Sequence, residues 1–369
     1  MRRIRLLFVP LLAASLIYLN YLANAAENQE PVKYPTAEVF GFVHFWTQTE
    51  YVNDAWDNTT FRLARARLGV KGKIRENVSY CALTEGGDLA ITNQVAPTSK
   101  GISLVDCYLT YHVHPLLNVR FGQEYHRFAY EGDLILPVLP FIFRAEAIDA
   151  VWLTLGRVGS YAYDTGVWFY GESDGSLFPL HATYQLALTN GSGLKLTDDN
   201  EAKDVTGRVT FKPLKKANLP IVTNLHLGAS FFFGTSTVVT QQASGLKEDL
   251  SERAYAVEFV LPQNRWRLMA ELIWADYDGS GEVPQWKQSG GYAALGMSPL
   301  KSLELLGRYA YYNQNEALDD ALLETITFGV TYTFAKLSSV KLNYLLRDAG
   351  EDYPTNPGNL LIAQIQFMW

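Results

Sequence analysis

The chain is poor in cysteine, with two among 369 residues, and its bases do not outnumber its acids: Lys plus Arg total 31 against 38 Asp plus Glu. Two cysteines, Cys81 and Cys107, make neither a disulfide scaffold nor a four-thiolate metal site. Without a basic excess there is no charge to release counterions from phosphates, so nucleic acid is excluded as a general partner. With 19% charged residues against 48% hydrophobic ones, an acidic disordered chain is excluded too. The six histidines are scattered, and no serine stands beside one in a nucleophile motif, so no enzyme and no cofactor is expected.

Long apolar runs are also missing, except at the start. Arg2, Arg3 and Arg5 precede an apolar stretch over 6–19, and Ala23-Asn24-Ala25 has the small-x-small form of a signal-peptidase site. Residues 1–25 read as a cleaved secretory signal. An uncleaved anchor is the weaker alternative, because Pro10 interrupts a stretch already short for a span. Removing the three signal arginines leaves 28 bases against 38 acids over 26–369, a net charge of −10. No later segment has 18 consecutive apolar residues, so no spanning helix is expected there.

What is present instead is alternation with a period of two. Over 325–334, Ile326, Phe328, Val330, Tyr332 and Phe334 oppose Thr325, Thr327, Gly329, Thr331 and Thr333. The pattern predicts sixteen strands, near 39–49, 60–73, 78–83, 103–113, 117–126, 164–171, 180–189, 205–212, 224–233, 254–261, 266–275, 290–297, 303–312, 325–334, 339–347 and 361–369. Their connections alternate between tight turns (74–77, 114–116, 262–265, 298–302, 335–338) and long loops (84–102, 127–163, 234–253, 276–289, 348–360). The expected fold is all-β: a transmembrane antiparallel barrel with turns on the periplasmic side and loops outside. The apolar piece 147–155 has to belong to the third long loop for the alternation to hold. Closure also removes the sheet edges that hydrocarbon cannot hydrate. The last strand places Leu361, Ala363, Ile365, Phe367 and Trp369 on one face, which reads as a lipid-facing stripe ending in an interfacial aromatic and resembles the terminal signal of bacterial outer-membrane barrels.

If the apolar face of each strand meets lipid, the other face lines the lumen. In the second strand Ala64, Ala66, Leu68 and Val70 face out and Arg65, Arg67, Lys71 and Lys73 face in, with Arg62 outward. Later strands add Arg120, Arg208, Lys212, Arg267, Arg308, Lys341 and Arg347. Inward acids are Asp106, Glu124, Asp164, Glu258, Glu271 and Glu304, so the lumen carries +5, while the loops concentrate acids such as Asp198, Asp199, Asp319, Asp320, Glu351 and Asp352. Rows of fixed cations in a low-dielectric channel concentrate anions, and the planar guanidinium fork suits oxyanions. Candidate anion-binding residues are therefore Arg65, Arg67, Lys71, Lys73, Arg120 and Arg208. The alternative is that lumen charges pair with Glu124, Glu271 or Glu304 across the barrel.

The third loop contains LILPVLPFIF over 134–143, too apolar to sit in water. Folded back into the barrel it would narrow the channel and bring Arg127, Arg144 and Arg157 to the constriction. The other reading is contact with a neighbouring protomer or the membrane interface. Cys81 and Cys107 fall on adjacent strands, about three residues or roughly 10 Å out of register, so two free thiols are expected despite an oxidising compartment.

The segments FRLARARLGVKGK (61–73), LVDCYLTY (104–111), VRFGQ (119–123), DTGV (164–167) and YQLALTNG (184–191) resemble, in order, successive motifs of the phosphate-selective porin O and P family. The usual double-Arg start of the second motif is here Leu63-Ala64-Arg65. The resemblance covers about 38–195 and implies a sixteen-stranded homotrimeric porin in the outer membrane of a Gram-negative bacterium, whose basic lumen passes anions, phosphate in the best-known members. The partners expected are outer-membrane lipid and small inorganic or organic anions. Two other functions fit the sequence: a non-specific or organic-solute porin, and a barrel sheath or scaffold for an exported partner such as an electron carrier, which would bring its own haem because this chain has no Cys-x-x-Cys-His.

Overall fold

A computed structural model describes residues 33–52, 54–87, 101–155, 162–174, 181–194, 201–213, 224–241, 246–281, 283–355 and 357–369. The expected signal segment, 1–25, lies outside them, as does Arg157. The chain divides into an N-terminal unit, Met1–Thr36, and a second unit, Ala37–Trp369, which is the barrel.

The strands are β1 (Glu38–Val52), β2 (Ala55–Trp56), β3 (Thr60–Arg75), β4 (Val78–Gly86), β5 (Ser103–His114) and β6 (Leu117–Tyr125). Then follow β7 (Tyr163–Asp174), β8 (His181–Thr189), β9 (Asp204–Lys212), β10 (His226–Gln241), β11 (Leu246–Pro262) and β12 (Trp266–Gly279). The last are β13 (Trp286–Leu300), β14 (Leu303–Asn313), β15 (Leu322–Ala335), β16 (Ser338–Ala349) and β17 (Asn359–Met368). β2 is a two-residue return against the end of β1. The other sixteen pair antiparallel with their neighbours, and β1 bonds both β3 and β17, so the sheet closes on itself. All sixteen expected strands are present.

The two faces separate as the alternation predicts. On β15, Ile326, Phe328, Val330, Tyr332 and Phe334 are exposed on the outer surface, while Thr325, Thr327 and Thr331 are buried inward. On β17, Ile365 and Phe367 point out, as does the terminal Trp369, whereas Ile362, Gln364 and Gln366 are buried. Closure uses the last residue: Gly41 N donates to Trp369 O at 3.2 Å and Trp369 N returns to Gly41 O at 3.1 Å. A Cβ on Gly41 would stand 2.4 Å from the Arg67 carbonyl and 2.8 Å from the Trp369 ring, so that position requires glycine.

Three expectations change. β10 and β11 continue in register from Gly234↔Glu252 to Val239↔Lys247, so most of the expected long loop 234–253 is hairpin, and β12 and β13 likewise absorb both ends of 276–289. Once a hairpin rises out of the apolar band both faces meet water, and hydropathy no longer marks where pairing ends. In β3 a bulge falls between His44↔Arg65 and Phe45↔Leu63, leaving Ala64 unpaired. One extra residue reverses facing on its far side: Leu63 shares the outer face with exposed Phe45, and Arg62 shares the inner face with buried Trp46, not the lipid face expected of it. Ala64, expected against lipid, is fully buried with Trp46, Leu345 and Ile362. Finally, Cys81 lies opposite Tyr108 and Cys107 opposite Ala82, an offset of one residue rather than three. The thiols are free because Cys81 is buried inward and Cys107 points outward; with many residues between β4 and β5, no tight turn sets their register from sequence.

Candidate functional site

The segment between β6 and β7 contains α1 (Tyr130–Asp133), a 3-10 turn (Leu136–Val138) and α2 (Glu146–Trp152). Residues 147–155 are thus loop and helix, not strand. Phe128, Phe141, Ala147, Ile148, Val151, Trp152 and Leu155 pack on inward residues of β10 to β14, among them Phe232, Ala254, Ala256, Met269, Ile273, Tyr292, Leu306 and Ala310. Further along, Ile142 and Phe143 pack against Trp46, Leu345 and Ile362. The apolar run 134–143 therefore meets the barrel's own inner wall.

Polar groups fix this loop where the apolar contacts place it. The four-residue helix α1 has no side-chain cap of its own; instead the Glu271 carboxylate accepts the Tyr130 N–H, and the Glu131 N–H at 3.1 Å. Glu131 in turn accepts from Ala145 N at 2.7 Å and pairs with Arg308 at 3.4 Å, both side chains fully buried. Arg308 also donates to the carbonyls of Phe143 at 3.1 Å and Arg144 at 3.2 Å. Lys341 Nζ donates to Leu139 O at 2.5 Å, Gln366 to Pro137 O at 3.0 Å, and Asn343 accepts from Ile142 N at 2.8 Å. Burial pushes the Glu131 carboxyl above the usual range, with Arg308 acting against the rise.

A band of arginines paired with buried acids runs along β3 to β9 and ends on β11. Arg65 Nη1 and Arg67 Nη2 each lie 2.7 Å from a different oxygen of Glu85. The Glu85 side chain is 0% exposed and the two arginines are 15% and 12% exposed, so the carboxylate sits behind the guanidiniums. On β6, Arg120 pairs with Glu124 and donates from Nε to Thr110 at 3.0 Å and from Nη2 to the Tyr170 hydroxyl at 3.3 Å. Its guanidinium lies 3.9 Å from the centre of the Tyr108 ring. Arg127 reaches the same Glu124 at 2.9 Å, and Glu124 is 3% exposed against 34% for Arg127. Arg127 continues to Asp133 of α1 at 3.6 Å, Asp133 to Arg208 at 2.7 Å, and Arg208 to Glu258 at 2.6 Å, where His226 also bonds. Asp106, buried on β5, faces inward between the strands of Glu85 and Glu124.

Of the sequence candidates, Arg65, Arg67, Arg120, Arg127 and Arg208 come together in this band. Lys71 and Lys73 do not: Lys71 pairs with Glu38 at 3.3 Å, half exposed, and Lys73 lies exposed beyond it at the turn end of β3. The four β3 cations expected to line the lumen together are thus two separate groups, and neither lacks an acid. Arg144 is also displaced from its expected role at the constriction. Its side chain is 7% exposed, donates to Glu131 O at 2.8 Å, pairs with Asp149 at 3.5 Å and lies 4.3 Å over Trp152, so it braces the loop internally. Burial lowers its pKa, against the pull of Asp149. Glu85 escapes sequence reading because the predicted strand ended at Leu83; the signal was there, since Cys81, Leu83 and Glu85 continue one face. Among the described residues no His, Cys, Asp or Glu cluster could hold a metal ion.

The model of the family described as phosphate-selective porin O and P matches residues 43–369. Among solved structures, in-vitro folded OmpT of Vibrio cholerae superposes with a TM-score of 0.63 at 13% identity, over 92% of this chain and 100% of that one. The anion-selective porin from Comamonas acidovorans gives 0.59 at 14% identity over 90% and 99%. OmpF of Salmonella typhi, in complex with daunomycin, gives 0.58 at 12% over 90% and 97%. At these identities the likeness concerns the fold. No curated protein matches the chain.

Proposed function

The chain belongs to the phosphate-selective porin O and P family and is a porin of the Gram-negative outer membrane, and from that premise we propose that it gives small hydrated anions a passive path across that membrane. The observation that carries this is the arrangement of two arginines around one buried glutamate, made twice: Arg65 and Arg67 on Glu85, Arg120 and Arg127 on Glu124. The Glu85 group keeps one uncompensated positive charge, with its negative charge turned away from solvent; the Glu124 group runs on through Arg127 to Asp133, Arg208 and Glu258 and is balanced, so it draws anions only because Arg127 is more exposed than the carboxylate behind it. Inward Asp106 offsets part of this, so the preference is moderate.

The hydrogen bonds narrow the solute class. All three nitrogens of Arg120 are engaged, by Thr110, Glu124 and Tyr170, and both terminal nitrogens of Arg67 are engaged, by Glu85 and Tyr163. Guanidiniums tied to the wall in this way keep only part of their five N–H donors for a solute and act on an anion mainly through their field, which favours charge selection over a dedicated phosphate site. Phosphate passes on this reading as one small anion among several. Folded inward, the third loop narrows the path and presents Arg127. An exported form lacking 1–25 and a homotrimer complete the proposal; a neighbouring solved structure is a trimer form of OmpT.

Single-channel recording in planar bilayers, with reversal potentials in asymmetric salt, tests this. An open channel with anion preference is expected, and cation preference or a sealed barrel would overturn it.

A further inference from the structure

At the turn end of the barrel, where the β11–β12 and β13–β14 turns meet β15, the wall holds a cavity of about 290 Å³. This is near the lower limit of small-molecule sites, roughly 300–1,000 Å³, and has room for about ten waters at roughly 30 Å³ each. Arg267, Lys301, Ser302, Glu304 and Thr331 line it, and Trp266 forms part of its wall. Arg267 Nη2 donates to Glu304 Oε2 at 2.5 Å, with side chains 25% and 21% exposed. Gly296 makes the room for this pair: a Cβ there would stand 2.8 Å from Glu304 Oε1 and 2.9 Å from Arg267 Cγ. Arg267 Nε and Thr331 Oγ1 are buried with no hydrogen-bond partner among the described residues.

Neither a simple anion nor a simple cation suits these groups. An anion on Arg267 and Lys301 meets the Glu304 carboxylate, and a cation on Glu304 meets two positive charges. A solute carrying both charges a few ångströms apart satisfies both sides, and Thr331 and Ser302 add hydroxyls able to bond its carboxylate. We propose that this cavity binds an amino-acid-sized zwitterion, its carboxylate held by Arg267, Lys301 and the Thr331 hydroxyl and its ammonium by Glu304. The site rests on the porin reading, because it is reached from the mouth of an open lumen, but not on the anion preference.

The test is calorimetric titration of the full-length barrel, folded in detergent, with L-alanine, and with acetate and methylammonium as its two halves. Saturable alanine binding is expected, with neither half binding measurably. Glu304→Gln and Thr331→Val should each weaken it about tenfold, the loss of one hydrogen bond to a charged group; an unchanged melting temperature shows that the variants are folded. Acetate or inorganic phosphate binding as well as alanine, or alanine binding that survives Glu304→Gln, would overturn the proposal, as would no binding at all. Conductance recorded on the same preparation keeps the two readings apart: a sealed barrel that still binds alanine defeats the porin reading alone, and a conducting barrel that ignores alanine defeats the cavity alone.

Discussion

Arg67 and Glu85 stand directly opposite each other across the β3–β4 pair, with Nη2 and Oε2 2.7 Å apart and the carboxylate wholly out of solvent. Charge is therefore asymmetric toward the lumen even where it is nominally balanced. Neutralising the visible partner should act differently from neutralising the hidden one. A unit charge about 8 Å from the ion path is worth about 0.5 kcal/mol at the dielectric constant of water, about a twofold change in local anion concentration. Arg65→Gln should shift the anion-to-cation permeability ratio toward unity by about that factor, and Glu85→Gln should raise it. Reversal potentials at low and high salt check both, and screening should shrink both effects as ionic strength rises. Shielding makes the Glu85→Gln shift the smaller of the two, and one as large as the Arg65→Gln shift would mean that Glu85 is not shielded.

Arg308 and Glu131 are fully buried, and Arg308 also holds two loop carbonyls. Arg308→Met leaves the carboxylate and those carbonyls without their donor, a loss of about 3–5 kcal/mol of the kind that follows breaking one side of a buried pair. Increased open-channel noise and faster protease cleavage within 126–155 are expected. Glu131→Gln combined with Arg308→Met should recover part of the loss, because the unpaired charge is gone. Equal damage in the single and double variants would count against the pairing.

Closure of the barrel tolerates no side chain at Gly41. Gly41→Val drives a branched group into the Arg67 carbonyl and the Trp369 ring, with a penalty of at least about 1–3 kcal/mol. A smaller fraction of refolded protein should show the heat-resistant gel mobility of a closed barrel, while Gly307→Ala, where a Cβ meets nothing within 4 Å, should refold normally.

The cysteines report the register of β4 against β5. Cys107 faces outward and Cys81 inward, so a hydrophobic maleimide should label one thiol in the folded protein and two after unfolding, with or without reductant. A single label on Cys81, or none before reduction, would contradict the facing.

The strands were legible because lipid on one face and water on the other impose a period of two, and β15 and β17 obey it residue by residue. The facing of Arg62 was not, because the unpaired Ala64 carries no hydropathy signal: small residues suit lipid, lumen and core alike. Apolar content placed 134–143 inside something, but which wall it met depended on pairing groups spread from Arg308 to Gln366, far apart in sequence. The charge band was half visible. The arginines stood out on their strands, while Glu85 lay past the apparent strand end and Asp133 in a loop helix, so their pairing emerges only once β3, β4 and the loop are brought together.

The wall beneath the third loop departs from the usual division of a porin into an oily outside and a wet inside. From β10 to β14 its inner face sets Phe232, Ala254, Ala256, Met269, Ile273 and Leu306 among the charged Glu258, Glu271 and Arg308, and the apolar members are residues that would belong to the interior of a water-soluble domain. Cutting the loop away would do more than widen the channel; it would leave apolar patches facing water, prone to recruit lipid, detergent or a second barrel. Loop and wall form a single folding unit, and an engineer seeking a larger pore must rewrite both surfaces together.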